Sequence, residues 1–192
     1  MNVFKTINAR RLSIIGFSFL FAYILSFPFE GQVLYSLLDV HGVNISGYIL
    51  AAIIAHCAGL FTCGLFVRSQ KTAKSIMLGG MGICLASAVP FFFAPSSLWM
   101  GGLIVSGYFS GCAVASWGYF LRAFMPRNGR IKSCADVLIY SNLLMIAVNV
   151  VSTNRSPLIG LSLSILCLVI GMVFIWMLPV EQEDKQNQVL RN

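Results

Sequence analysis

The residues of this chain best suited to chemistry are a carboxylate and an imidazole embedded in apolar sequence. They are Glu30, in Phe27-Pro28-Phe29-Glu30-Gly31, and His56, in Ala55-His56-Cys57-Ala58-Gly59. Surrounded by nonpolar residues, each must find a hydrogen-bond partner or water, and a carboxylate within reach of an imidazole can share a proton with it. That is the chemistry of proton-coupled carriage across a membrane. The structural alternatives are a Glu30 that snorkels to the surface and a His56 that bonds a backbone carbonyl. Asn142 and Asn149 fall two turns apart on one helix face. A polar stripe there either lines a cavity or ties its helix to neighbours by interhelical hydrogen bonds. Asp136, close to Arg130 and Lys132, reads as the anchor of a loop ion pair.

Other chemistries lack their residues. The chain contains no G-x-S-x-G, no H-E-x-x-H, no P-loop and no G-x-G-x-x-G, and it has two histidines, so an enzyme is not expected and no cofactor is implied. Of the six cysteines, Cys57, Cys63, Cys84, Cys112 and Cys167 fall within apolar stretches and Cys134 at the end of one, with no C-x-x-C spacing. They read as small packing residues rather than a disulfide framework or a metal site.

The elements that must position these residues are six apolar stretches. A bilayer core of about 30 Å takes about 20 residues of helix, and the stretches cover residues 12–38, 45–67, 75–94, 97–121, 134–152 and 157–179. Hydrophobic residues make up 58% and charged residues 10% of the chain, with a mean hydropathy of +0.84, which excludes an ordinary soluble domain. The expected fold is therefore an all-α membrane protein, a bundle of six transmembrane helices. Basic residues follow the same rhythm: Lys5, Arg10 and Arg11, then Arg68, Lys71 and Lys74, then Arg122, Arg127, Arg130 and Lys132, then Lys185 and Arg191. If helices alternate in direction, all but Arg155 of the thirteen Lys and Arg residues share the side that holds both termini. Because basic loops stay in the cytoplasm, residues 1–11 and the polar tail 180–192 are expected inside an inner membrane, the tail disordered.

The net charge of +7 and pI near 9.3 accompany short loops, not one face interleaved with stacking aromatics, so nucleic acid is not an expected partner. Membrane lipids are, through their anionic headgroups. The apolar run after Arg11 outlasts a signal-peptide core and ends in no A-x-A-like site, which predicts an uncleaved first helix. At 1.5 Å per residue, Glu30 should lie about 12 Å and His56 about 18 Å below the outer ends of their helices, at similar depths. Pro28 and Gly31 interrupt the first helix, and such breaks in carriers often mark a binding site. Gly107, Gly111 and Ala115 form a small-xxx-small face for close packing, and Gly79, Gly80 and Gly82 are expected to do the same one helix earlier.

Six helices with both ends inside, a basic loop after the second starting at Gly64, a glycine-rich fourth helix and a longer basic loop from fourth to fifth resemble one half of a major facilitator superfamily transporter. The resemblance spans about residues 10–180. It implies a cytoplasmic latch at Gly64, Arg68, Lys71 and Lys74, although Arg68 stands where the family carries an aspartate, and the family's fourth-helix arginine is missing before Gly107. It also implies a small solute moved by alternating access, with a second copy or another membrane chain completing the cavity. The Phe27–Gly31 and Ala55–Gly59 runs and the segment Ala135-Asp136-Val137-Leu138-Ile139-Tyr140-Ser141-Asn142 are similar to the membrane parts of some bacterial LuxR-type regulators. That second likeness implies a sensor or assembly subunit that binds without transport; a truncated remnant is the third expectation.

Overall fold

Pro28 divides the first apolar stretch. A proline has no N–H to give the carbonyl four residues back, and the oxygen of Ile24 accepts instead from the N–H of Phe29 at 3.1 Å. The chain then turns so sharply that a Cβ on Gly31 would overlap the backbone carbonyl of Ser26, so only glycine fits there. The expected single span over residues 12–38 is thus two helices, α1 (Val3–Ser26) and the nine-residue α2 (Gln32–Val40). The second is about 14 Å long, too short to cross a bilayer. It closes on a glycine in the left-handed region, Gly42 at φ 64°, with the N–H groups of Gly42 and Val43 on the carbonyls of Asp39 and Leu38.

The structure is a computed structural model and describes residues 3–29, 31–43 and 46–179. The described residues form helices and connecting turns with no strand. After α2 come α3 (Ser46–Phe66), α4 (Gln70–Ala88), α5 (Ser97–Phe124), α6 (Arg130–Asn154) and α7 (Pro157–Trp176). A 3₁₀ turn, Val89–Phe92, extends α4, and another, Arg127–Gly129, precedes α6. Six helices are long and apolar enough to cross a membrane: α1 from Ala9, α3, α4 with its 3₁₀ turn, α5, α6 and α7. Several run further than the apolar stretches alone suggest. The first helix reaches back through Arg10 and Arg11 to Val3, and the supposedly long basic loop shrinks to Met125–Gly129 because α5 and α6 continue through their charged ends. The tail over 180–192, expected to be disordered, lies outside the described residues.

Two helices form the centre. α5 packs against α3 and α4, α1 packs against α6 and α7, α1 touches α5, and α4 touches α7. Exchanging the first three spans (α1, α3, α4) for the last three (α5, α6, α7) turns each of these contacts into another of them. The α6–α7 contact departs from the pattern, having no counterpart of similar extent between α3 and α4. The flanking helices α3 and α6 are the least enclosed, with 22% and 17% of their spans buried.

Lipid tails are as apolar as leucine, so helices in a bilayer associate through close van der Waals fit and hydrogen bonds. The α3–α5 contact is of that kind. A Cβ on Gly107 would come within 2.5 Å of the Ala52 carbonyl oxygen, and one on Gly111 would overlap that of His56. Gly59 answers from α3, packed on the carbonyl of Tyr108. Ala115 is only half-buried. Of the three α4 glycines expected to pack, only Gly80 does, against the Phe109 carbonyl; Gly79 and Gly82 face open space. The helix period turns residues adjacent to Gly80 away from the seam.

The basic residues Arg10, Arg11, Arg68, Lys71, Lys74, Arg122, Arg127, Arg130 and Lys132 gather at one end of the bundle. Interhelical ties fix this arrangement. Trp117 Nε1 near the end of α5 donates to Ser13 Oγ near the start of α1 at 3.1 Å, and Tyr119 donates to the Arg68 carbonyl at 3.4 Å. Arg155 lies in the α6–α7 turn at the opposite end. We expect Gly111→Ala to lower stability by about 1–3 kcal/mol through overpacking, whereas Gly79→Ala should be neutral or slightly stabilising. Reversible denaturation of the two variants in mixed micelles would check this; equal losses would refute the seam.

Candidate functional site

His56 lies half-buried at the α3–α5 seam. Its Nδ1 is 2.9 Å from Ser110 Oγ, and that hydroxyl donates to the Gly107 carbonyl at 2.8 Å. A serine has one hydroxyl proton. With it committed to Gly107, the imidazole must donate through Nδ1, which leaves the lone pair of the neutral ring on Nε2. His56 is thus tied to α5 at both the Ser110 hydroxyl and the Gly107 backbone carbonyl.

The break after α1 meets this ring. Phe29 packs edge-on against His56 with ring centres 4.5 Å apart and planes at 88°. The segment before Glu30 and the middle of α3 therefore share one depth. Glu30 itself lies outside the described residues. Below the break, Tyr23 is fully buried, with its hydroxyl 3.1 Å from Ser106 Oγ and 3.4 Å from the Cys84 carbonyl, so that α1, α4 and α5 meet at one phenol. Further along the α3–α5 seam, Tyr108 bonds Thr62 at 3.0 Å and the Cys63 thiol faces the Cys112 carbonyl at 3.4 Å. Sequence alone marks Ser106 and Ser110 only as small residues; which distant side chain each hydroxyl meets depends on helix pairing that no local pattern encodes.

The α6 amides are not gathered with His56, because α6 packs on α1 and α7 at the opposite flank from α3. Asn142 is exposed, and its Nδ2 bonds the Leu138 carbonyl of its own helix at 2.7 Å. Among the described residues the Oδ1 of Asn149 is buried without a partner, as is Ser152 Oγ one turn later. The stripe therefore does not join α6 to a neighbour by hydrogen bonds. Ser152 borders an open cleft of about 480 Å³ between α2 and the α6–α7 turn, where Gln32, Asp39 and Arg155 also lie.

At the basic end, the expected latch residues behave differently from one another. Gly64 and Lys71 are exposed, and Arg68 contributes its backbone carbonyl to Tyr119. Lys74 reaches from the first turn of α4 to the last carbonyls of α7, at 2.6 Å from the Trp176 oxygen and 2.7 Å from that of Leu178. A cation on otherwise unsatisfied C-terminal carbonyls is favourable both as hydrogen bonding and against the helix dipole. Arg130 does the same for α5, through Met125 and Arg122 at 3.3 and 3.2 Å. Among the described residues the expected Asp136 ion pair with Arg130 or Lys132 is not formed; Arg130 is turned toward those carbonyls. Among the described residues no group of three His, Cys, Asp or Glu side chains is placed to hold a metal.

No protein-family model, curated protein or solved structure matches the chain. Removal of the Lys74 ammonium by Lys74→Met should loosen the end of α7 and cost about 1 kcal/mol, the net value of a partly exposed hydrogen bond to a charged donor. Hydrogen exchange should quicken at the α7 C-terminus while α3 stays unchanged. Unaltered exchange there would show that the clamp contributes nothing.

Proposed function

We propose that the chain is one six-helix half of a facilitator-type transporter of a bacterial inner membrane, with both termini cytoplasmic. In this reading it carries a small solute by alternating access together with a second half or a second copy. The observation that carries the reading is the exchange pattern of helix contacts between the first three spans and the last three. In a bundle whose consecutive spans alternate in direction, spans three apart run oppositely, so such a pattern is that of an inverted repeat, on which many carriers are built. The clustering of basic residues at the end that holds the start of α1 supports the orientation.

The exposed flanks support a partner. α3 and α6 are the least buried spans, and each bears polar groups that hydrocarbon would leave unsolvated, His56 on one and Asn142 on the other. A second bundle laid across both flanks would enclose these groups in a shared, hydrated path. There His56 and Glu30, whose preceding residue Phe29 packs against the imidazole, would form the proton-linked pair.

Reconstitution into vesicles with an internal pH dye, challenged by sugars, amino acids and organic cations in turn, tests the reading. A solute that evokes proton movement in the wild type should fail to do so in Glu30→Gln. Preserved coupling in that variant would remove Glu30 from the mechanism. Stoichiometric binding without flux would replace transport by sensing.

A further inference from the structure

The parallel helices α1 and α6 enclose two cavities stacked along their seam. The one at the basic end holds about 570 Å³ and is bordered by Arg10 and Arg11 of α1 and by Lys132 and Asp136 of α6. The deeper one holds about 350 Å³ between Ser18 and Phe19 on one helix and Leu143 and Leu144 on the other. Ile15 and Tyr140 belong to both, so the two are successive parts of one groove. Ser18 does not make the deeper part polar, because its hydroxyl donates to the Ile14 carbonyl at 2.8 Å. From Arg11 to Phe19 the groove descends about 12 Å, most of one leaflet of a hydrocarbon core of about 30 Å. Tyr140 is 50% and Leu143 62% exposed, so it opens sideways, toward the bilayer.

Charge is as unevenly divided as polarity. Three cations face one carboxylate in the upper part, and among the described residues none of the four has an ion-pair partner. Lys74 and Arg130 at the same end, by contrast, are occupied with helix-end carbonyls. A soluble anion could satisfy the cations but would leave the apolar part empty. We infer that this groove binds an anionic glycerophospholipid of the phosphatidylglycerol type. Its phosphate lies between Arg10, Arg11 and Lys132, a headgroup hydroxyl donates to Asp136, and one acyl chain descends past Ile15 and Tyr140 to Leu143 and Leu144. Basic pockets between transmembrane helices recognise lipid headgroups through such charge, each cation contributing about 1 kcal/mol near the surface. The assignment concerns the chain by itself and does not rest on transport: a second bundle laid over the α6 flank would cover this opening, so lipid and partner are alternative occupants of that face.

Native mass spectrometry of the whole chain, released from micelles containing equal amounts of phosphatidylglycerol and phosphatidylcholine, tests the assignment. The wild type should retain phosphatidylglycerol about tenfold more than phosphatidylcholine. Arg11→Gln and Lys132→Gln should each weaken retention about fivefold. Arg122→Gln with Arg127→Gln, which removes two charges at the same end but away from the groove, should change nothing. Leu143→Trp should obstruct the acyl part and lower retention with every charge intact. Equal retention of the two lipids by the wild type, or an equal loss in the control pair, would overturn the site. The lipid comparison in the wild type decides even where a variant does not fold.

Discussion

The contact on which the bundle depends is the near-touching of backbones at α5, where Gly107 and Gly111 let the Ala52 and His56 carbonyls of α3 approach so closely that no side chain fits between. In a solvent as apolar as the helices themselves, association must come from fit and from hydrogen bonds, and this seam supplies both. The same approach that excludes a Cβ brings His56 to Ser110 and Tyr108 to Thr62. On the other side of α5, Gly80 meets the Phe109 carbonyl and Tyr23 reaches Ser106. α5 thus joins α3, α4 and α1, and widening its glycine face would shift the polar pairs along with the helices.

Much of this was legible in the sequence because it depends on local composition. Six apolar stretches became six helices able to cross a membrane, and Gly107 and Gly111 became close backbone contacts of the α3–α5 seam. The Phe27–Gly31 break was legible as a break but not in its size, because composition shows that Pro28 cannot continue the helix without showing that the next nine residues form a separate one. The α4 glycines illustrate a second limit. Three small residues within four positions look alike in sequence, yet only Gly80 faces a neighbour. What decides is the rotation of the helix about its axis, set by the partner's surface. The pairing of His56 with Ser110 belongs to the same class, since it joins residues 54 positions apart.

The basic residues were legible as a group and not individually. Sequence treats Lys74, Arg130 and Lys132 as equivalent contributors to a charged end. In three dimensions Lys74 and Arg130 satisfy the last carbonyls of α7 and α5, a requirement that every helix end carries. These two hold the bundle's end together, while Arg10, Arg11 and Lys132 border open space. The asymmetry used for topology is therefore composed of cations with two distinct local roles.

The break after α1 links the local and global arrangements. An unbroken first helix would carry Phe29 onward along the α1 axis, and the edge-on contact with His56 would not form. Because Pro28 removes one hydrogen bond and Gly31 permits the turn, α2 folds back with its buried face, Val33, Leu34, Leu37 and Leu38, on the bundle. Its end is held there by His41, which donates from Nδ1 to Leu37 and packs its ring 5.4 Å from that of Trp99. Trp99 is in turn fixed by its own bond to the Pro90 carbonyl. Two residues that weaken a helix thus set the depth at which the turn preceding Glu30 meets the imidazole.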